Sequence, residues 1–479
     1  MDKIVAKHSS IVIDNYLPNE NEKIEKMLSV WDDRCFKYKQ LAYHYDEDNR
    51  RLIIPRGLDL NFLAKELDRP VEINRDCSQY DKIHVKLTTE PRDDTQRKCI
   101  CFLIGEGDFK YTANYSQSVL TVDPGEGKTY CSIAAASFLQ MRCIIILPTT
   151  LLIKQWVNTV VNMTDTYPEE VCFIKGSPSI KKLFKDKNPR YKFYVTTHAT
   201  LRAYAKKNGW EKIGDLFEHL KIGVKIVDEA HMEFRNVMLI DFFTNVKKTI
   251  YLTATLERSQ HGENNVCKLA FKNIPKYGQI LRNDKKKYIV YVPVIYNTHP
   301  STLEQSEVKG PKGFNNKTYI EYQMKKETMY DVLKFVIDTF KDKEGRMLIT
   351  SPKIDSSFKI KDYIEEYCPY KSVGVINSTV PEDEKDRIKA ECDIVSSTIK
   401  STGTGFDMSG LRYNITIEQF TSSVISKQLP YRARRYEDKY VFYIEIMDFG
   451  FKDVKRMYNK RLSIFKQRCA AIKMIEYKE

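Results

Sequence analysis

The sequence lacks the marks of a secreted or membrane-inserted chain. No apolar run approaches the roughly 18 residues needed to cross a bilayer. The start, Met-Asp-Lys-Ile-Val-Ala-Lys-His, has no apolar block of the kind that directs secretion. Eleven cysteines are scattered singly; only Cys99 and Cys101 lie close together, and no second Cys/His pair completes a zinc site. Free thiols in a reducing cytoplasm, a host cytoplasm if the chain is viral, are therefore expected. There is no low-complexity tract, and no repeat beyond two similar α/β halves.

What the 479 residues do have is positive charge, +14 overall, which points to a polyanionic partner. The charge is unevenly spread. Residues 1–85 hold 14 Lys/Arg against 16 Asp/Glu, whereas Gly450–Glu479 hold 9 against 3. A general electrostatic clamp is thereby excluded from the N-terminal segment.

Two short stretches carry the chemistry. The first, Thr121-Val-Asp-Pro-Gly-Glu-Gly-Lys-Thr129, has the form of a loop that cradles phosphates. Pro124, Gly125, Glu126 and Gly127 shape it, the glycines let backbone N–H groups approach oxygen, Lys128 meets the β/γ-phosphates and Thr129 can ligate Mg²⁺. The second, Ile226-Val-Asp-Glu-Ala-His231, follows an apolar run, as at the C-terminal end of a buried parallel strand. There Asp228 can hold a hydrated metal while Glu229 orients and deprotonates water. Each stretch alone has an ordinary structural explanation, a chance turn or a helix surface. Together, in this order, they indicate an ATPase using ATP and Mg²⁺.

The surrounding pattern is α/β. Residues 1–85 read as a small α+β unit. It includes a hairpin from Leu41–Tyr45 and Arg51–Ile54, a helix capped by Asp59, and strands at Val71–Asn74 and Ile83–Leu87. Apolar strands then alternate with helical stretches at Cys143–Leu147, Phe193–Thr196, Val224–Val227 and Thr249–Leu252. A second set falls at Tyr288–Val294, Met347–Thr350, Val373–Ile376, Ile394–Ser397, Ile415–Ile417 and Val441–Ile446. Ser301–Lys317 reads as an exposed loop. Lys452–Ile475 reads as one helix with an apolar stripe at Val454, Tyr458, Leu462, Phe465, Cys469 and Ile472, and with basic residues elsewhere around it.

Further motifs, in their order, carry a family resemblance over residues 91–449. Gln96 follows Arg92; Pro148-Thr-Thr-Leu-Leu-Ile-Lys-Gln-Trp156 and Val195-Thr-Thr-His-Ala-Thr-Leu201 come next, then Leu252-Thr-Ala-Thr-Leu-Glu-Arg258. Ser401-Thr-Gly-Thr-Gly-Phe-Asp407 and Gln428-Leu-Pro-Tyr-Arg-Ala-Arg-Arg435 complete the set, with Tyr431 where a glycine is usual. The chain resembles the superfamily 2 DEAH-box DNA helicases, and among them most the bacteriophage UvsW-type branched-DNA helicases. The resemblance implies two tandem RecA-like parallel-sheet domains forming an ATP cleft, plus a small N-terminal α+β domain. The boundaries it suggests are 1–88, 89–282, 283–449 and a basic C-terminal helix at 450–479.

It also implies roles. Arg92 and Gln96 would contact adenine, and Gly405 and Asp407 would join them in ATP binding. Gln428, Arg432 and Arg435 would act on the transferring phosphoryl group, while His231, Thr253 and Thr255 would couple nucleotide state to strand path. Pro148, Thr149, Gln155, Thr196, Thr197 and His198 would contact the DNA backbone. In the N-terminal hairpin, Tyr43 and Tyr45 share a face and Arg50 and Arg51 lie near the turn, a second DNA contact or else a small core. The implied activity is ATP-dependent remodelling of forked or four-way DNA by a protein that is monomeric in solution and independent of membranes. RNA duplex or transcript release stays open as an alternative, and so does a non-catalytic nucleic-acid-binding scaffold.

Overall fold

The computed structural model describes the whole chain except residues 1, 34, 123–124, 187, 255, 257, 259–260, 279–286, 311–312, 400, 403–405, 407, 421–424, 427–428, 434–438 and 479. Two compact units result, Met1–Asp284 and Lys285–Glu479. Among the described residues no helix is long and apolar enough to cross a membrane.

Among its described residues the first unit contains two larger sheets and a separate two-stranded hairpin, Ser29–Asp32 with Lys37–Gln40. A five-stranded mixed sheet runs in the order His44–Asp46, Arg51–Pro55, Ser10–Ile13, Ile4–Ala6, Val71–Ile73. All its pairings are antiparallel except the last. The sequence pattern had pointed to three of these strands. The two at Ile4–Ala6 and Ser10–Ile13 are each too short to show a period. The strand expected at Ile83–Leu87 is absent; that segment makes only isolated bridges, Lys82 to Met141 and Leu87 to Thr164. Asp59 caps the helix Leu60–Leu67 by accepting from the backbone N–H of Asn61 and Phe62.

The larger sheet has seven strands in the order Val171–Phe173, Phe193–Thr197, Cys143–Leu147, Val224–Val227, Lys248–Leu252, Gln117–Leu120, Lys276–Tyr277, all parallel. The strands from Phe193–Thr197 to Gln117–Leu120 are buried along their whole length; Cys143–Leu147 is an unbroken apolar run, whereas Gln117–Leu120, which begins with Gln and Ser, was not marked as a strand by the sequence pattern. A single apolar core joins the two sheets. Ile4, Ile11, Ile13, Leu52 and Ile54 of the small sheet lie in the same cluster as Leu216, Phe217, Phe234 and Tyr251 of the large one. Polar contacts cross as well: Ser116 Oγ donates to His8 O at 2.6 Å, and Gln117 Nε2 to Ser9 O at 3.3 Å.

The second unit is built on an eight-stranded parallel sheet in the order Val373–Ile376, Ile394–Thr398, Arg346–Ser351, Leu411–Thr416, Val441–Asp448, Ile289–Tyr296, Ala471–Ile472, with Ile475–Glu476 also on Ile289–Tyr296. Two expectations change here. Ser301–Lys317 is not an open loop: it holds the helix Thr302–Glu307, capped by Ser301, and a small hairpin. The C-terminal helix ends at Arg468, and the chain beyond it returns as two short strands, because Ala471 and Ile475 complete an edge of the sheet. Val454, Met457, Tyr458, Arg461 and Phe465 are buried in the same unit. Arg461 is not a surface cation: its Nη2 donates to Glu445 Oε2 at 2.7 Å, and Tyr291 and Tyr443 donate to the same carboxylate.

Removal of Gly450–Glu479 is accordingly expected to unfold the second unit. Phe465→Ala alone should cost about 3–5 kcal/mol. Denaturant titration with limited proteolysis checks both; a truncated chain that keeps a protected second unit would contradict the placement.

Candidate nucleotide-binding site

All strands of the large sheet in the first unit are parallel, so their C-terminal ends share one edge. The central strand Val224–Val227 lies between Cys143–Leu147 and Lys248–Leu252. Asp228-Glu229, Pro148-Thr149 and Thr253 therefore leave the sheet side by side, and the phosphate loop leaves it from Gln117–Leu120, next to Lys248–Leu252. Such an edge is where ligands bind in open α/β sheets.

The loop enters the helix Lys128–Leu139 with Gly125 at φ +82° and Gly127 at φ +87°. Gly127 is doubly required. Its backbone is left-handed, and a Cβ there would sit 2.2 Å from Gln96 Nε2. Gln96 is buried against the loop: its Oε1 accepts from Arg92 N–H at 2.9 Å and its own N–H donates to Asp93 Oδ1. Arg92 lies 3.6 Å from Glu126. The two residues expected to face adenine are thus tied to the phosphate loop. Lys128 Nζ donates to Val122 O at 3.2 Å, and Thr129 is the second residue of the helix. Pro124 lies outside the described residues.

Asp228 and Glu229 are both buried. Glu229 takes φ +46°, a left-handed conformation that costs a non-glycine residue on the order of 1–3 kcal/mol. It is held there by its own N–H, which donates to Asp228 Oδ1 at 2.9 Å. Ala230 N–H donates to Leu252 O at 3.1 Å and Met232 N–H to Glu229 O at 2.8 Å. Glu229 Oε2 is enclosed without a hydrogen-bond partner; His231 Nδ1 is 3.3 Å away. Burial, then the charge of Glu229, raises the Asp228 carboxyl to about 7, and burial raises Glu229 too; Lys128 opposes both. His231 is pulled down to about 4 by burial, Arg258 and Lys128, and is neutral at pH 7. Its Nδ1 lies 2.8 Å from Thr253 Oγ1, joining the ends of two neighbouring strands.

Two partners were not assigned roles from sequence. Trp156 Nε1 donates to Asp228 Oδ2 at 3.3 Å, so the expected DNA-contact helix, Ile153–Met163, touches the Asp228 carboxylate. Arg258 donates to the carbonyls of His231 and Met232 and pairs with Glu263 at 2.7 Å. The first could have been suspected from the Gln-Trp pair; the second has no local signal.

Several expected contacts are placed differently. Thr196, Thr197 and His198 are buried and do not present side chains to DNA. Thr196 donates to Ile174 O, Thr197 caps the helix His198–Asn208, and both ring nitrogens of His198 are enclosed without partners. Burial lowers His198 to about 3, so it is neutral. Thr149 and Gln155 are half-buried, and Thr149 Oγ1 and Gln155 Oε1 are likewise enclosed without partners. In the N-terminal hairpin Tyr43 and Tyr45 pack on the core, His44 meets the Phe243 ring at 5.0 Å, and Arg51 pairs with Asp14 at 3.0 Å. Arg50 lies on an exposed turn at φ +49°.

Within the second unit, Arg432 has Nη1 enclosed without an acceptor, and burial lowers the guanidinium to about 10, still charged at neutral pH. Thr255, Gly405, Asp407, Gln428 and Arg435 lie outside the described residues.

Among the described residues no cluster of three His, Cys, Asp or Glu side chains could hold a metal ion. The donors present are the Asp228 carboxylate and the Thr129 hydroxyl. That sparse oxygen set fits Mg²⁺, which takes its remaining ligands from water and substrate phosphates.

Residues 89–258 match the family "Type III restriction enzyme, res subunit". The matched segment contains both the loop at 121–129 and the Asp-Glu-Ala-His stretch, which leave one sheet edge with Lys248–Leu252 between their strands. Among curated proteins, the XPB helicase/translocase subunit of the general transcription and DNA repair factor IIH from Encephalitozoon cuniculi is 27% identical over 271 residues. The match covers 53% of this chain and 36% of that protein, so the chain spans about a third of its relative's length. A solved fragment assigned to an HsdR subunit of a type I restriction enzyme from Vibrio vulnificus is similar in fold. Its TM-score is 0.54 at 14% identity, over 80% of this chain and 68% of that one. T4 UvsW aligns over 99% and 100% of the two chains at 12% identity, with a TM-score of 0.39, too loose a likeness to carry a fold assignment.

The buried carboxylates make the nucleotide-free site a source of instability. With a folded pKa above the unfolded one, Glu229 binds its proton more tightly in the folded protein, so its contribution to stability declines as pH rises. Glu229→Gln should therefore melt at a higher temperature than the parent at pH 8. The gain should shrink as pH falls toward the ordinary carboxylate range. A gain that is absent, or constant with pH, would contradict the assigned protonation.

Proposed function

We propose that the chain is an ATP-driven DNA helicase or translocase that remodels branched DNA, such as forks, four-way junctions and displacement loops. The observation that carries the motor is the buried, unpartnered Glu229 Oε2 beside Asp228, on the same sheet edge as Lys128. An unsatisfied carboxylate oxygen in a buried site costs stability unless a ligand completes it.

In this reading the loop backbone and Lys128 bind the β/γ-phosphates, Thr129 and Asp228 hold Mg²⁺, and Gln96 with Arg92 meets the base. Mg²⁺, when bound, supplies charge neutralisation to the phosphates. Glu229 orients the attacking water and accepts its proton. The His231–Thr253 contact transmits the change at Glu229 to the adjoining strand end. Pro148, Thr149 and Gln155 face the nucleic-acid backbone. The resemblance assigns Arg432 and Arg435 to the phosphoryl group, and the open N–H of Arg432 supports an anionic partner. The XPB relative is described as a transcription and DNA repair helicase/translocase, which favours duplex DNA over RNA as the track. A scaffold without turnover would have no use for a strained, unpartnered carboxylate.

Lys128→Ala should lower ATP turnover to less than about a tenth of the parent, because the phosphates lose their cation while no packing is lost. Glu229→Gln should keep ATP·Mg²⁺ affinity and lose on the order of 10²–10⁴ in kcat. A steady-state ATPase assay with and without DNA, paired with nucleotide titration, reads both; loss of affinity in Glu229→Gln would reassign it to organising the metal. Unwinding compared across single-stranded, forked and four-way DNA and an RNA duplex should favour fork and junction. Equal action on all four would reject the branched-DNA half of the proposal.

A further inference from the structure

The N-terminal module presents an element that the motor does not use. Ser29–Asp32 and Lys37–Gln40 form a separate two-stranded hairpin, with Trp31 directly opposite Tyr38. The two rings meet edge to face at 5.2 Å. Both are about half exposed, at 47% and 49%, and Phe36 at the turn is 80% exposed with φ +48°. Three large aromatic side chains in eight residues are thus left in solvent, although the hairpin needs none of them for its attachment. The inward residue is Val30, which packs on the shared core and lies 3.0 Å from where a Cβ on Gly262 would be.

The attachment points matter. Gly262 belongs to the helix His261–Ala270, the first helix after the Thr-Ala-Thr stretch. On the paired strand, at the same open end of the hairpin, Gln40 O accepts from the Arg235 guanidinium, on the helix Phe234–Phe243 that follows Asp-Glu-Ala-His. An isolated two-stranded hairpin is only marginally stable in water. This one is fastened to the two helices whose preceding residues contact the nucleotide site through His231 and Thr253.

We propose that the hairpin Ser29–Gln40 is a stacking surface for unpaired or terminal nucleobases, carried on the first motor domain; the proposal rests on the nucleic-acid motor reading above. Flat, exposed rings bind any base through its π-face. Charge complementarity agrees: Lys26 lies 6.0 Å over the Tyr38 ring and pairs with Glu22, and Lys37 and Lys39 on either side of Tyr38 are exposed. Among the described residues of the tip, Asp33, Cys35 and Phe36 are exposed, and of these Phe36 offers ring surface. Bases at a fork or duplex end are accessible to such rings, whereas those inside a closed duplex are not.

The test uses the full chain and fluorescence anisotropy with two DNAs of equal length, an open fork and a fully paired duplex closed at both ends by non-nucleotide linkers. Trp31→Ala with Phe36→Ala should weaken fork binding at least about tenfold, as loss of base stacking does, and leave closed-duplex binding and basal ATP turnover unchanged. Trp31→Phe with Phe36→Tyr keeps flat rings and should restore fork binding, which separates stacking from any loss of fold. Undiminished fork affinity in the alanine pair overturns the hairpin assignment alone. The same result with loss of concentration-dependent self-association would give the rings to a second copy of the chain instead. A parent protein that binds neither DNA overturns the motor reading together with this one.

Discussion

The structure turns on keeping two adjacent carboxylates, Asp228 and Glu229, buried at the end of its central strand. Burial alone pushes both toward the neutral acid, and their mutual repulsion adds to it. What opposes this is position: Lys128 at the start of the neighbouring helix, the Trp156 N–H on Asp228, and the Glu229 N–H folded back onto its neighbour. Each depends on a parallel sheet that delivers loops from strands far apart in sequence to one edge. The left-handed Glu229 backbone is the local cost of a carboxylate whose Oε2, among the described residues, is enclosed without a hydrogen-bond partner, 3.3 Å from the His231 imidazole.

Beneath this edge lies a buried polar chain that ties the N-terminal sheet to the same strand. Ser9 O accepts from Gln117, Gln117 donates to the Tyr251 hydroxyl at 2.8 Å, Tyr251 donates to Asp241 at 2.6 Å, and Asp241 pairs with Lys225 at 2.5 Å. Lys225 sits on Val224–Val227 itself, three residues before Asp228. Removing one partner from such a network leaves an unpaired buried group, which is far more costly than the net value of the pair. With the shared apolar core, this makes the N-terminal sheet a structural part of the first unit rather than an appended module.

Much of this was legible because the carrying signals are local. A phosphate loop and a strand-end Asp-Glu-Ala-His declare themselves in a few residues, and buried parallel strands such as Cys143–Leu147 are uninterrupted apolar runs. Long-range facts were not legible. That Thr196, Thr197 and His198 turn inward depends on packing against Ile174 and the following helix, which their spacing does not encode. The hairpin tyrosines at 43 and 45 and the exposed rings at 31, 36 and 38 are both aromatic sets beside charged residues. Only the docking of one set onto Phe243 and the core separates them. The C-terminal stripe merged helix and strand because Cys469 and Ile472 keep the helical period after the helix has ended.

The central claim, that Glu229 is the group acting on the attacking water, is tested most directly by a crystal structure with Mg²⁺, ADP and beryllium fluoride. The account predicts an ordered water within hydrogen-bond reach of Glu229 Oε2 and in line with the beryllium fluoride, with Asp228 and Thr129 around the metal. A water held by other groups, with Glu229 still turned toward His231, would contradict it.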